Sequence, residues 1–218
     1  MPSTRTADRP QAAVAVAKRY LRRERPLSAL VVMLAVVVFL GTFVATSLVP
    51  AVTVGALLIV VVRVPIFESH GSVRLRTDED AQSVVDSFTG PTPPVLVFQW
   101  GIADEITVED GTVRYRISYL FGLRSVEVTV ETRTDHTPAG DRRIEVELTI
   151  GGQPWSTYVV TVQTGDGRTV VEYEYTADRR FGLRRIPQRI VANRYRDKAL
   201  DAQGYVVDDR DEQYSIGF

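Results

Sequence analysis

The chain has 218 residues, 26 basic and 27 acidic side chains, two histidines and no cysteine. Disulfides, thiolate metal sites and cysteine nucleophiles are thereby excluded. The near-neutral total hides a split: residues 1–26 carry seven basic and two acidic side chains, whereas residues 71–218 carry 18 basic and 24 acidic ones. An acidic main body is a poor match to a phosphate backbone, so nucleic acid is not an expected partner.

Residues 1–26 read as a basic arm. Within it "QAAVAVAKRYLRRE" has helical spacing, with Tyr20 and Leu21 among arginines. Such a segment suits either an anionic lipid surface or a solvated flank. The next 36 residues, Leu27 to Val62, contain no charge. One straight helix of that length would measure about 54 Å, against a bilayer core of about 30 Å. Two spans, near 27–46 and 50–67, with a turn marked by Thr46, Ser47 and Pro50, therefore fit better than one. The basic flank ahead of the first span places the N-terminus on the cytoplasmic side. The expectation is a two-span transmembrane hairpin over 27–67, an integral membrane protein, and a C-terminal domain in the cytoplasm.

From residue 71 the pattern changes to alternation. "GSVRLRT" reads as a strand, and "DEDAQSVVDSF" as a short helix with Val84, Val85 and Phe88 on one side. "TGPTPP" ends it. "VLVFQW" and "DEITV" read as strands. Five further runs alternate apolar and polar residues around Tyr115, Val128, Val146, Val160 and Tyr173. Each places apolar side chains on one face, as in an antiparallel sheet covered on one side. The connections "EDG", "TPAGD", "GGQP" and "TGDG" are short enough for sequential hairpins, so a meander of about six strands follows. The word FGLR occurs at residues 121–124 and 181–184. Both copies read as joints in which glycine supplies the bend.

Pro187 can open a long helix and Gly204 can end it in a left-handed cap. Its apolar residues fall into two stripes, Val191, Tyr195, Ala199 and Ala202 against Ile186, Ile190 and Leu200, and either could cover the sheet. The acidic tail, residues 206–218, is assigned no structure.

The order strand, short helix, antiparallel meander, long C-terminal helix resembles the SRPBCC superfamily, the START-like helix-grip fold. The resemblance is carried by "GSVRLRTDEDAQSVVDSF" at one end and by "STYVVTVQTGDGRTVVEYEYTADRRFGLRRIPQRIVANRYRDKALDAQGY" at the other, and it covers residues 71–205. It implies an α+β domain whose curved sheet grips the closing helix, with an apolar cavity between them. It also implies binding of lipids or other apolar molecules, with cyclase or hydrolase activity in some members.

The aromatic and apolar residues on the covered faces are the pocket candidates: Phe98, Trp100, Tyr115, Tyr119, Trp155, Tyr158, Tyr173, Val191 and Tyr195. Arg184, Arg185, Arg189, Arg194, Arg196 and Lys198 form a basic stretch suited to anionic headgroups. No metal site is expected, since His70 and His136 have no ligand spacing around them. No cofactor is expected either, since "GGQP" and "GDG" lack a phosphate-binding context. No acid or base is positioned for catalysis. The expected function is non-enzymatic binding of an apolar or lipid-like ligand between sheet and helix, with bilayer lipid as a partner. A protein-interaction module with a filled core is the alternative, followed by a cyclase- or hydrolase-type enzyme.

Overall fold

The computed structural model describes residues 9–63, 67–119, 122–165, 167–180 and 186–216. Two helices lead, α1 (Gln11–Ala45) and α2 (Leu48–Arg63). Strand β1 (Phe67–Thr77) follows, then α3 (Ala81–Thr89), a 3-10 turn (Pro94–Leu96) and the short α4 (Val97–Trp100). A meander runs through β2 (Glu105–Glu109), β3 (Thr112–Tyr119), β4 (Arg124–His136), β5 (Arg142–Ile150), β6 (Gln153–Gly165) and β7 (Arg168–Ala177). Helix α5 (Ile186–Asp201) and strand β8 (Val206–Ile216) close the chain.

The strands form one antiparallel sheet in the order β2-β3-β4-β5-β6-β7-β1-β8. This is an α+β domain with a C-terminal helix, as expected, and the six-strand meander is present. Alternation decides its covered face: Val171, Tyr173 and Tyr175 of β7 are buried while Glu172 and Glu174 are exposed. The buried side chains of that face, with those of α3 and α4, make one hydrophobic core. Asp80 caps α3, its carboxylate accepting from the backbone N–H groups of Gln82 and Ser83. The Ser83 hydroxyl and backbone hold that carboxyl below its ordinary range.

Three local expectations are corrected. "VLVFQW" is helical rather than a strand. Pro94 occupies the start of the 3-10 turn, and the fixed φ of proline favours a helical start over a sheet position. The acidic tail, assigned no structure, is β8, an edge strand paired with β1 from Phe67↔Ile216 to Arg76↔Val206. Its acidic residues suit an edge, where charge discourages further pairing, and Asp208 pairs with Arg76. The break between α1 and α2 falls at Thr46–Ser47, and Pro50 sits in the first turn of α2, where its missing N–H needs no partner. Of the two FGLR words, the first is a turn with Gly122 at φ +85°. The second, residues 181–184, lies outside the described residues.

The leading helices differ most from expectation. Among the described residues no helix is long and apolar enough to cross a membrane. The integral-membrane location, with its cytoplasmic C-terminal domain, is corrected accordingly. Helix α2 has 16 residues, about 24 Å of helix against a bilayer core of about 30 Å. Helix α1 starts at Gln11 rather than near Leu27, and its first turns are spent on the domain. Ala13, Val14 and Ala17 are buried in the common core, and the Arg9 guanidinium donates to the Ala103 carbonyl at 2.7 Å. A methyl group at Gly101 would lie 2.9 Å from the Ala17 Cβ, so the glycine lets α1 and the end of α4 meet closely. Further along, Leu34, Val37, Leu40 and Val44 of α1 and Val49, Leu57 and Ile59 of α2 are exposed.

Helix α5 lies between α1 and the sheet. Its Tyr195 meets Tyr20 of α1 with ring centroids 5.8 Å apart, while Asn193 and Asp197 reach partners on β8. Ala192, Tyr195, Ala199 and Leu200 are all buried, while the Ile186 and Ile190 side chains of the second expected stripe lie outside the described residues.

Candidate functional site

The interior of the domain has two ends of different character, one under α3 and α4 and one between α5 and the β6–β7–β1–β8 part of the sheet. At one end the interior is packed shut. Trp100 is fully buried and its indole N–H donates to the Pro93 carbonyl at 2.9 Å. Tyr115 is fully buried and its hydroxyl donates to the Pro91 carbonyl at 3.0 Å; burial pushes its phenol well above the ordinary range. Phe88 and Tyr205 meet edge to face at 6.0 Å, and the Tyr205 hydroxyl lies 2.8 Å from the Ser87 hydroxyl. These rings fill volume and satisfy their polar atoms.

At the other end the inner face is aromatic and charged. Tyr158 of β6 stands opposite Tyr175 of β7 in register, with ring centroids 6.2 Å apart. Tyr173 lies two residues along, its centroid 6.3 Å from Tyr158. The Arg196 guanidinium of α5 lies 5.8 Å from the centre of the Tyr175 ring, a cation–π contact. From β8, Arg210 turns inward beside Asp197 and donates to Glu212 at 3.0 Å. The Asn193 amide also donates to Glu212, at 2.6 Å. Two atoms in this region are buried without a hydrogen-bond partner, Ser69 Oγ and Arg210 Nε. Ser69 is 1% exposed.

Electrostatics here follow from burial. Burial pushes the Tyr173 phenol from its ordinary 10 up to about 12, against the lowering effect of Arg210 and Arg196. Burial works against the Arg196 charge, but Tyr158, Tyr173, Tyr175 and Glu212 outweigh it, and the guanidinium is held above its ordinary value. At the packed end, burial raises Tyr205 to about 12. The two tyrosines set an alkaline limit on stability. Below pH 10 both folded and unfolded phenols keep their protons, and the contribution is fully present. Between pH 10 and 12 the unfolded chain releases protons that the folded chain retains, so stability falls as pH rises. The expected loss is about 2–3 kcal/mol for each tyrosine across that window. Urea unfolding at stepped pH, with phenolate absorbance read alongside, checks it: at least three phenols, those of Tyr115, Tyr173 and Tyr205, are expected to ionise only with unfolding, and free titration of all tyrosines near pH 10 would refute it.

The remaining candidates lie elsewhere. Phe98 and Tyr195 are brought together by Tyr20 of α1, whose ring centroid lies 4.6 Å from that of Phe98. Tyr119 is 46% exposed near the end of β3. Trp155 is half-buried with the Arg179 guanidinium 5.6 Å over its ring, and Val191 is half-buried on α5. Of the basic stretch, Arg184 and Arg185 lie outside the described residues, as does the Arg189 side chain. Arg194 and Lys198 are exposed, Lys198 5.9 Å over the Tyr195 ring. Arg196, expected on the same charged surface, is turned inward instead. Sequence reasoning missed Tyr20, Tyr175, Arg210 and Glu212. Tyr175 shares the alternation of Tyr173 and could have been found by it. Arg210 and Glu212 sit in a charged tail whose alternation marks no face until β8 has paired.

Among the described residues no group of three or more His, Asp or Glu could hold a metal ion. His70 lies on the outer face, 3.3 Å from the Gln213 side-chain oxygen, beside a shallow groove that also includes Ser72, Glu174 and Thr176.

No protein-family model matches the chain, and no curated protein matches it. Solved structures do. The Mll3558 protein from Rhizobium loti is 20% identical, with 63% of this chain and 98% of that one covered and a TM-score of 0.40. A conserved protein from Geobacillus kaustophilus is 13% identical, with 65% and 99% covered and a TM-score of 0.39. A START superfamily protein from Mycobacterium smegmatis is 12% identical, with 62% and 97% covered and a TM-score of 0.40. These likenesses concern form and bear on neither ligand nor activity.

Proposed function

We propose that the protein binds an apolar or amphipathic small molecule, without chemical turnover, between α5 and the β6–β7–β1 part of the sheet. One observation carries this reading. The packed end satisfies the polar atoms of Trp100, Tyr115 and Tyr205, whereas the tyrosine end keeps Ser69 Oγ and Arg210 Nε buried without partners. Buried polar atoms are normally paired, so an interior that leaves two of them open beside three aromatic rings is suited to a guest. Tyr158, Tyr173 and Tyr175 supply apolar area with polar tips.

The test is direct binding of oleyl alcohol by the full chain, read by displacement of a fluorescent apolar probe. Saturable binding is expected. Tyr158→Trp, which enlarges a ring that is 7% exposed, is expected to weaken it about tenfold or more by occupying the space, with helix and sheet content unchanged by circular dichroism. Absence of saturable binding in the unaltered chain would refute the proposal.

A second reading is favoured by the exposed apolar residues of α1 and α2. Exposed apolar side chains of that kind suit contact with an apolar protein face, which makes the helix pair an interaction surface beside the ligand site. Monodisperse monomer without detergent, together with no protein retained by the full chain in a pull-down, would refute it.

A further inference from the structure

The ligand site proposed above gains a head-group specificity from one side chain. We propose that Arg196 anchors the carboxylate of an amphipathic acid beneath α5, with the apolar body of the ligand lying along Tyr158 and Tyr173. The inference rests on that reading of the site.

The two inward-turned arginines are treated differently by the fold. Arg210 has both nearby acids, Asp197 and Glu212, as ion-pair partners. Glu212 receives a further bond from Asn193. Arg196 has its guanidinium over the Tyr175 ring instead. Among the described residues no acceptor lies within hydrogen-bond distance of its guanidinium and no acid is paired with it. A guanidinium carries five N–H donors in a fixed fork and cannot shed its charge at neutral pH. Arg196 is half-buried, so its fork is open to an acceptor brought by a ligand beside the tyrosine rings.

The surroundings say which acceptor fits. The fork matches one planar carboxylate through two parallel hydrogen bonds. Glu212 lies near enough to act on the Arg196 charge, so a single added negative charge is tolerated better than the two of a phosphate monoester. On the sheet side, Gly71 stands opposite Tyr175 in register. A methyl group there would lie 3.0 Å and 3.1 Å from the Tyr175 ring edge and hydroxyl, so the ring rests over bare backbone. Ser69, the next inward residue on β1, offers a buried hydroxyl with no partner. A cation, a phenol and a free hydroxyl thus border one small region, and its wall continues into the rings of Tyr158 and Tyr173.

The test compares oleate with oleyl alcohol, two probes of equal chain length that differ in the head. Both are titrated into the full chain and into Arg196→Met, Arg196→Lys and Arg194→Met variants. In the unaltered chain oleate is expected to bind at least about tenfold more tightly than the alcohol. Arg196→Met is expected to abolish that preference while keeping the affinity for the alcohol. Arg196→Lys is expected to restore part of it, as a point charge without the fork. Arg194→Met, at an exposed position on the same helix, is expected to change nothing. Alcohol binding without a preference for oleate overturns the head-group assignment alone, and so does a preference that survives Arg196→Met. Failure of both probes to bind the unaltered chain overturns the ligand site and this assignment together.

Discussion

Trp100→Ala is expected to destabilise the protein by about 3–5 kcal/mol, the range for deleting a large buried aromatic. Trp100 is fully buried and forms the last residue of a four-residue helix that could not hold itself together. Burial of this ring and its hydrogen bond to Pro93 hold the middle of the segment from Pro91 to Asp104, whose ends are tied by Tyr115 at Pro91 and by Arg9 at Ala103. Truncation empties the volume and leaves the Pro93 carbonyl without its donor. The segment matters because it carries the chain from β1, near one edge of the sheet, to β2 at the other, and because α1 docks on it through Gly101. Trp100→Phe keeps most of the packing and is expected to cost about 1–3 kcal/mol, mainly the orphaned carbonyl. Urea unfolding followed by circular dichroism measures both. The chain has two tryptophans, so residual fluorescence of either variant reports Trp155 alone. A loss below about 1 kcal/mol for the alanine variant would mean that the segment is held by other contacts.

Arg210→Met is the second large effect, expected at about 3 kcal/mol. The Arg210 and Glu212 side chains are 15% and 11% exposed, so this pair is not a surface ion pair, which would contribute about 0–1 kcal/mol. Removing the cation leaves a poorly solvated Glu212 carboxylate short of a partner, and breaking a buried pair from one side costs about 3–5 kcal/mol. The low end applies because Asn193 still donates to Glu212. Replacing both Arg210 and Glu212 by methionine removes the uncompensated charge and is expected to recover most of the loss. The double-mutant cycle, read from urea midpoints, separates the two effects. Equal destabilisation by the single and double variants would show that Arg210 acts through packing of its stem rather than through charge. Arg210 also ties β8 to α5 through Asp197, so its loss is expected to raise hydrogen exchange along residues 206–213 before the meander is affected.

The wall of the candidate site was partly readable from the chain and its chemistry was not. Tyr158 and Tyr173 follow from period-two alternation, and Tyr175 belongs to the same run. Trp100 and Tyr115 were as conspicuous in sequence, yet they occupy the packed end, where the Pro91 and Pro93 carbonyls happen to be within reach. No local pattern separates a ring that fills a core from one that borders a site. The difference depends on which backbone carbonyls the fold brings within hydrogen-bond distance.

What the sequence determined by itself is whatever rests on near neighbours. Alternation set the inner and outer faces of the meander, short Gly-containing turns set its hairpin order, Asp80 set the start of α3, and Gly204, at φ +84°, set the end of α5. Tertiary structure decided the rest, because those features join residues far apart in the chain. An uncharged run of 36 residues does not state that the helix entering it starts at Gln11 and is docked on α4 and α5. An acidic tail does not state that it will pair with β1. Arg196 looked like one cation among several on an exposed helix. It faces inward because α1 covers the opposite side of α5, and among the described residues no acid forms an ion pair with it because β8 brings Arg210 to both Asp197 and Glu212.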